Sequence, residues 1–296
     1  MSRTERDCEN TFSQMKQVYN ANTPENHPII FSTESDFKAA MSIFAVCARM
    51  FPHITIYAFQ IMSNHVHMVV SGERSQIQDF FAYFRDRLRL HLNKEVALSS
   101  FELKLFLIED LSYFRNSVAY VNRNGFVVLN DVTPFSYPWG SSSYFFQPMA
   151  LQYSELAGKP IGNAAIRALM HSRQCDQLKG LKMIDGYISP LEFCDIETAE
   201  NTFRDAKQYF YAISRNVESY SEIAKSIGES IFYTDTDLYN AAVRMAKDHF
   251  GRYDLRTLPV DAKMEIARRL HFDYNAGDKQ LQRLLSMDAM VLKAMF

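Results

Sequence analysis

Apolar positions in the first half of the chain switch between a two-residue and a 3.6-residue repeat, and the switches mark out its elements. Residues 11–19 read as a short strand, followed by a polar loop over 20–28 that contains Pro24 and Pro28. Ser32 or Ser35 can cap a helix reaching about Met50, with Phe37, Met41, Phe44, Ala45 and Ala48 at helical spacing. Two β-rich runs follow, 53–62 and 65–71, separated only by Ser63-Asn64, which predicts a hairpin with a two-residue turn. Ser75 opens a second helix to about Asn93, apolar at Ile77, Phe80, Phe81, Phe84, Leu88 and Leu92. A strand over 101–108 leads to Glu109 and Asp110, acidic residues suited to the start of a helix that runs through about Asn124.

Strand, helix, hairpin, helix, strand, helix describes an α+β domain: an antiparallel sheet with its helices on one face, and not a doubly wound parallel sheet. Residues 131–160 collect Pro134, Pro138, Gly140, Ser141 to Ser143, Pro148, Gly158 and Pro160, and are expected to separate a domain over 1–150 from one over 151–296. From Ile161 onward the pattern is helical, which predicts an all-α C-terminal domain. Within it, 259–293 has the outline of a helix-turn-helix. Asp278 and Ser286 would be N-caps, and Lys279, Gln280, Gln282 and Arg283 would face a major groove. Its apolar Leu281, Leu284, Leu285, Met287, Val291 and Leu292 are equally what any small helical bundle needs.

With 296 residues, 47% of them hydrophobic and 22% charged, the chain can bury a large core. No apolar run is long enough to span a membrane, and the opening MSRTERDCENTF lacks the apolar core of a signal peptide, so no membrane partner is expected. The four cysteines form no C-x-x-C pair, which fits a reducing cytoplasm better than a zinc ribbon or a disulfide scaffold. The formal net charge is −2, so contact with a polyanion must come from local stripes. Residues 185–237 carry 4 basic against 11 acidic side chains, whereas 244–293 carry 10 against 7.

Candidate chemistry concentrates in Ile61-Met-Ser-Asn-His-Val-His-Met-Val-Val70. On a strand, Val66, Met68 and Val70 would point to the helix-covered side, and His65 and His67 would project together from the other. Two imidazoles side by side are half of a divalent-metal site, and equally two surface histidines at a hairpin end. On the helix that follows, Tyr120 and Asn124 lie one turn apart on one face, a phenol beside a carboxamide oxygen suited to Mg²⁺ or Mn²⁺. Tyr113, one heptad earlier, is a second candidate nucleophile. Arg85, Arg87, Arg89 and Lys94 cluster on the second helix, where they could contact phosphates or form a solvated basic face. Trp139, the only tryptophan, could stack on unpaired bases or pack against the sheet.

Taken in order, these segments resemble the REP-associated tyrosine transposase type of the single-tyrosine, His-hydrophobic-His (HUH) transposase superfamily. The likeness covers about residues 12–145. It rests on Met62-Ser-Asn-His-Val-His67, on Tyr120-Val-Asn-Arg-Asn124-Gly, and on Tyr137-Pro-Trp-Gly-Ser-Ser-Ser-Tyr144. The resemblance implies a ferredoxin-like (RRM-like) sheet, with His65, His67 and Asn124 as ligands of Mg²⁺ or Mn²⁺ and Tyr120 as nucleophile. It also implies single-stranded or hairpin DNA as substrate, with cleavage and rejoining through a 5′-phosphotyrosine. Self-association as a homodimer is left open. One departure is Gly125, where the family carries proline; a left-handed glycine cap is expected to end the helix there. The alternative is a nucleic-acid-binding or regulatory protein that keeps the fold without turnover. A water-using metal hydrolase would need an acidic group near the histidines, and the local sequence supplies none.

Overall fold

The computed structural model describes residues 2–24, 28–92, 94, 98–128, 137–170, 178–215, 233, 235–274 and 276–296. The chain divides into two units, Met1–Asn216 and Val217–Phe296.

The first unit opens with a helix, α1 (Glu5–Ser13), in part of the stretch expected as a strand. Thr4 and Asp7 form a reciprocal capping box, and that local signal outweighs the few β-formers that follow. The first strand, β1 (Val18–Asn22), therefore starts later and takes in Asn20 and Asn22, which were expected in a loop. Helix α2 (Glu34–Met50) is capped by Thr33, not by Ser32 or Ser35, because Thr33 is the residue that forms a box with Asp36. Then come β2 (Thr55–Ile61), β3 (Val66–Ser71), α3 (Arg74–Leu92), β4 (Lys104–Ile108) and α4 (Leu111–Val128). Asp110 Oδ1 accepts the Tyr113 N–H at 2.8 Å and so starts α4. The helix runs through Gly125 to Val128, which corrects the glycine cap expected there. The hairpin strands end at Ile61 and resume at Val66, and Met62 N–H closes on His65 O at 2.8 Å around Ser63-Asn64, the two residues expected in the turn.

The sheet order is β2-β3-β1-β4, with every neighbouring pair antiparallel. Its two faces are both covered. Phe59 of β2 stacks on Phe44 of α2 at 5.1 Å, and Phe44 meets Phe80 and Phe84 of α3 edge-on, so α2 and α3 cover the first face. Side chains alternate along a strand, so Gln60 and its partner His67 must point the other way. There α4 lies against them: Tyr57 meets Phe114 at 5.6 Å, and Tyr120 meets His67. The expectation of helices on one face is thus corrected. The sequence of α4 reads as amphipathic either way, and nothing local says which face of the sheet its apolar side seeks.

The 150/151 boundary is also displaced, to 216/217. Phe193 packs into the first-face core against Phe44 (5.8 Å) and Phe59 (5.1 Å), and the Asp195 N–H donates to Ile56 O at the outer edge of β2. Residues 139–141 cover the other end of that edge. Ile61 N–H reaches Trp139 O (2.8 Å), Ser141 N–H reaches Phe59 O (3.0 Å), and Gly140 pairs with Gln60. A Cβ on Gly140 would sit 2.5 Å from Gln60 Cγ and 2.6 Å from Phe59 O, so only glycine fits. The rest of the unit holds α5 (Pro148–Ala157), β5 (Lys159–Pro160), α6 (Asn163–Met170), β6 (Lys182–Ile184), β7 (Tyr187–Ile188), α7 (Ile196–Asn201) and α8 (Ala206–Arg215). The strands form a small sheet, β5-β6-β7; β5 closes the loop-rich stretch, and β6 and β7 lie where the helical pattern breaks between Gly180 and Pro190. Asp185-Gly186, both at positive φ, turn β6 into β7.

The Asp36 box carries a pH dependence. Burial works to raise the pKa of its carboxyl, but hydrogen bonds from Ser32 and Lys94 Nζ outweigh that and hold it at about 2. The native state therefore binds this proton more weakly than the unfolded chain does (pKa ~3.9). The contribution is complete above about pH 4 and is lost as pH falls toward 2, amounting to ~1 kcal/mol after solvent screening. In urea melts, the stability gap between wild type and Asp36→Asn is expected to shrink by about that amount between pH 5 and pH 2.

In the second unit, the described elements are α9 (Asp235–Phe250), α10 (Val260–Tyr274), α11 (Asp278–Leu285) and α12 (Ala289–Met295), with a short 3₁₀ turn at Leu255–Thr257. Leu238, Leu255, Ile266, Leu270, Leu281, Leu285 and Leu292 form its core. Ser286 is not an N-cap: it ends α11 at φ 51, and Asp288 caps α12 instead. Two of the four side chains expected in a DNA groove are bound within the unit. Arg283 makes a bidentate pair with Asp235 (2.8 and 3.0 Å), and Gln280 Nε2 donates to Tyr233 O (3.0 Å). Lys279 and Gln282 are exposed. Among the described residues, no helix is long and apolar enough to cross a membrane.

Candidate active site

The site is built where the β2–β3 hairpin meets α4. His67 lies on β3 and is 1% exposed, while His65 sits half-exposed in the loop just before the strand. The two rings lie 4.7 Å apart, nearly perpendicular. Tyr120, 6% exposed, brings its ring 5.7 Å from that of His67, again nearly perpendicular. Asn124 follows one turn along α4, with a buried amide nitrogen that makes no hydrogen bond to any described residue. Tyr113 is half-buried on the same helix, about 10 Å back along its axis. Three sequence-predicted residues, His65, His67 and Tyr120, therefore converge. The face they share is not the open one expected, because α4 closes over it.

Burial sets the state of one imidazole, and a hydrogen bond orients the other. Burial pushes the pKa of His67 down to about 3, so the ring is neutral at any physiological pH and keeps a lone pair for a metal or a proton. His65 Nδ1 lies 2.8 Å from Asn64 Oδ1. An imidazole that donates Nδ1–H there holds its lone pair on Nε2, the arrangement that orients a ligand histidine.

Around the pair lies a buried polar layer. Asn22 stands opposite His67 across β1 and β3, and Asn20 lies two residues back on the same face. The Asn20 carboxamide is fully buried, and neither of its polar atoms is hydrogen-bonded to a described residue; the same holds for the Ser117 hydroxyl on α4. Buried polar groups left this way cost free energy unless water or ligand atoms satisfy them. Among the described residues, no three His, Cys, Asp or Glu are placed to hold a metal ion. A cation here would need the carboxamide of Asn124 beside the two imidazoles. The Asn124 Nδ2, buried without a hydrogen bond to a described residue, is compatible with that use, since a 180° turn presents Oδ1 in its place.

Comparison with family models, curated proteins and solved structures finds no match.

A network that sequence reasoning missed holds α4 in register. Ser141 Oγ accepts the Phe59 N–H (3.0 Å) and donates to Asn122 Oδ1 (2.9 Å). Asn122 Nδ2 donates to the Tyr209 hydroxyl of α8 (3.0 Å), and Gln60 Nε2 donates to Asn122 O (3.2 Å). All four side chains are buried. The network ties the helix to β2 two residues beyond Tyr120. Its visible signal was Asn122 inside Tyr120-Val-Asn-Arg-Asn124, set against Gln60 across the hairpin from His67.

The expected DNA-contacting cluster is not brought to this site. Arg85, Arg87 and Arg89 lie on α3, in the layer across the sheet from Tyr120. Arg87 stacks over the Tyr83 ring at 4.7 Å, and Arg85 and Arg89 each lie 3.8 Å from Asp86. Lys94 is a structural tether: its Nζ donates to Ile30 O (2.5 Å) and Asp36 Oδ2 (2.9 Å), fastening the segment ahead of α2. Trp139 packs, stacking on Phe37 at 5.1 Å and 13°.

Proposed function

We propose that the chain is a divalent-metal-dependent strand transferase that cuts and rejoins single-stranded DNA, including strands folded into hairpins, through an ester on Tyr120. One observation carries this reading: two imidazoles from a hairpin and a phenol from a separate helix lie ring against ring. The antiparallel order β4-β1-β3-β2 supports reading the sheet as ferredoxin-like, the scaffold expected for such chemistry.

His65, His67 and Asn124 would hold Mg²⁺ or Mn²⁺, which when bound would supply positive charge beside the scissile phosphate. Tyr120 Oη attacks phosphorus. The Oη–P bond forms as the P–O3′ bond breaks, and the phenolic proton ends on O3′. The products are a 5′-phosphate ester on Tyr120 and a free 3′-hydroxyl. Attack by another 3′-hydroxyl reverses these bond changes, so rejoining needs no nucleoside triphosphate. The neutral ring of His67 suits a ligand that must not repel the ion, and half-exposed His65 marks the side from which a strand would enter.

A second reading is a binding module without turnover. It is favoured by the burial of Tyr120 and His67, which is equally that of packed core aromatics. End-labelled hairpin oligonucleotide with Mn²⁺ separates the two readings on a denaturing gel. The transferase is expected to form a detergent-resistant protein–DNA band that Tyr120→Phe abolishes. Wild-type protein that binds the strand yet gives no band would leave the module.

A further inference from the structure

At the β2 edge, where Trp139 O receives the Ile61 N–H, a cavity of 470 Å³ opens between the start of α2 and the β6–β7 turn. Phe37, Pro138, Trp139 and Tyr187 give it aromatic and flat apolar walls. Thr33, Glu34, Lys38 and Asp185 stand at its rim: a hydroxyl, an ion pair between Lys38 and Glu34 (2.7 Å), and a carboxylate that accepts the Tyr153 hydroxyl (3.2 Å). Tyr187 leans on Trp139 at 5.8 Å, and its hydroxyl donates to Pro138 O, so the walls brace one another. Flat π-faces surrounded by both donors and acceptors match a planar heterocycle that carries both in its own plane. The size falls within the range of small-ligand pockets and exceeds one base. Its position ties it to the candidate active site. Ile61 is the last residue of β2, four before His65, and the segment that leads into α2 is pinned to the hairpin loop through Ile30 and Phe31 N–H on Ser63 O (2.9 and 2.8 Å).

We propose that this cavity takes one unpaired nucleobase of the DNA strand whose phosphate is handled at Tyr120, held against the aromatic wall that Trp139, Tyr187 and Phe37 form together. The inference rests on the strand-transferase reading for its choice of strand, and not for the chemistry of the pocket. A flipped or single-stranded base presents both of its faces and its hydrogen-bonding edge, whereas a duplex hides the faces. The pocket would thus select single-stranded over duplex DNA without any large positive surface. That agrees with a chain whose net charge is −2.

The single tryptophan makes the test direct, because intrinsic tryptophan emission reports on this cavity alone. Tyr120→Phe protein in EDTA, which excludes both cleavage and metal, is titrated with oligo(dT), with the matching duplex and with free thymidine monophosphate. Anisotropy of a labelled strand follows binding independently. The expected result is saturable quenching of Trp139 by oligo(dT), in step with the anisotropy, and much weaker quenching by duplex or mononucleotide. Trp139→Phe, which keeps a stacking ring, should bind the strand nearly as wild type does, and Trp139→Ala about 5- to 100-fold more weakly. Binding without any change in Trp139 emission, or equal quenching by duplex, would overturn the proposal whether or not Trp139→Ala folds. The two readings fail separately. Quenching without a Tyr120 adduct in Mn²⁺ leaves a base pocket in a non-catalytic protein, and an adduct without quenching removes the pocket alone.

Discussion

Asn122→Ala is expected to lower the unfolding free energy by about 3 kcal/mol in urea, without changing the dependence on denaturant concentration. The size follows from what is left behind. The Ser141 and Tyr209 hydroxyls lose a buried partner together, and a cavity opens between α4 and the edge of β2. Ser141→Ala removes one of those bonds and should cost roughly 1–2 kcal/mol. Under conditions where Asn122→Ala remains folded, its yield of protein–DNA adduct should still fall, because the register of Tyr120 against His67 is set two residues away. A loss of stability under 1 kcal/mol would mean that α4 is held by its apolar contacts alone.

The second large effect concerns His67. Read as a solvent-facing strand, the histidine pair should be removable at little cost to folding. With α4 over that face, His67→Ala instead leaves a cavity beneath the helix and should destabilise by about 2 kcal/mol. His67→Gln keeps a polar side chain of similar volume and should stay within about 1 kcal/mol of wild type. Its Mn²⁺-dependent adduct formation should nevertheless drop on the order of 10³-fold, equivalent to ~4 kcal/mol of activation free energy. Calorimetric titration with Mn²⁺ would show the same separation, with binding weakened in a protein whose melting is nearly unchanged. If His67→Gln keeps full adduct yield, the imidazole is a packing residue.

Much of the first unit was legible from periodicity, because its strands and helices each carry an unbroken apolar stripe. The hairpin, α2 and α3 follow from Phe44, Phe59, Phe80 and Phe84 recurring at the right intervals, whereas the strand order across the sheet comes from the structure. What escaped were features decided over long sequence separations. The meetings of Phe114 with Tyr57 and of Tyr120 with His67 determine the face α4 covers. The boundary near 150 failed because Phe193, a single residue beyond a turn-rich stretch, completes the core of the sheet. Asn20 and Asn22 looked like loop residues since a central strand rarely carries two carboxamides; their place beside His67 gives that choice a chemical reason. The candidate site was legible in His65, His67 and Tyr120. The basic cluster lies apart from the candidate site: Arg85, Arg87 and Arg89 share α3, in the layer across the sheet from Tyr120, and Lys94 serves an internal carbonyl and a carboxylate.

Mass-spectrometric mapping of the covalent product goes to the centre of the matter. Hairpin DNA is incubated with protein and Mn²⁺, the strand is digested to its first nucleotide, and the peptides of α4 are sequenced. A nucleotide mass on Tyr120, lost in His65→Ala and His67→Gln protein, is the expected result. The same mass on Tyr113, or no modified tyrosine in protein that has demonstrably bound the strand, would contradict it.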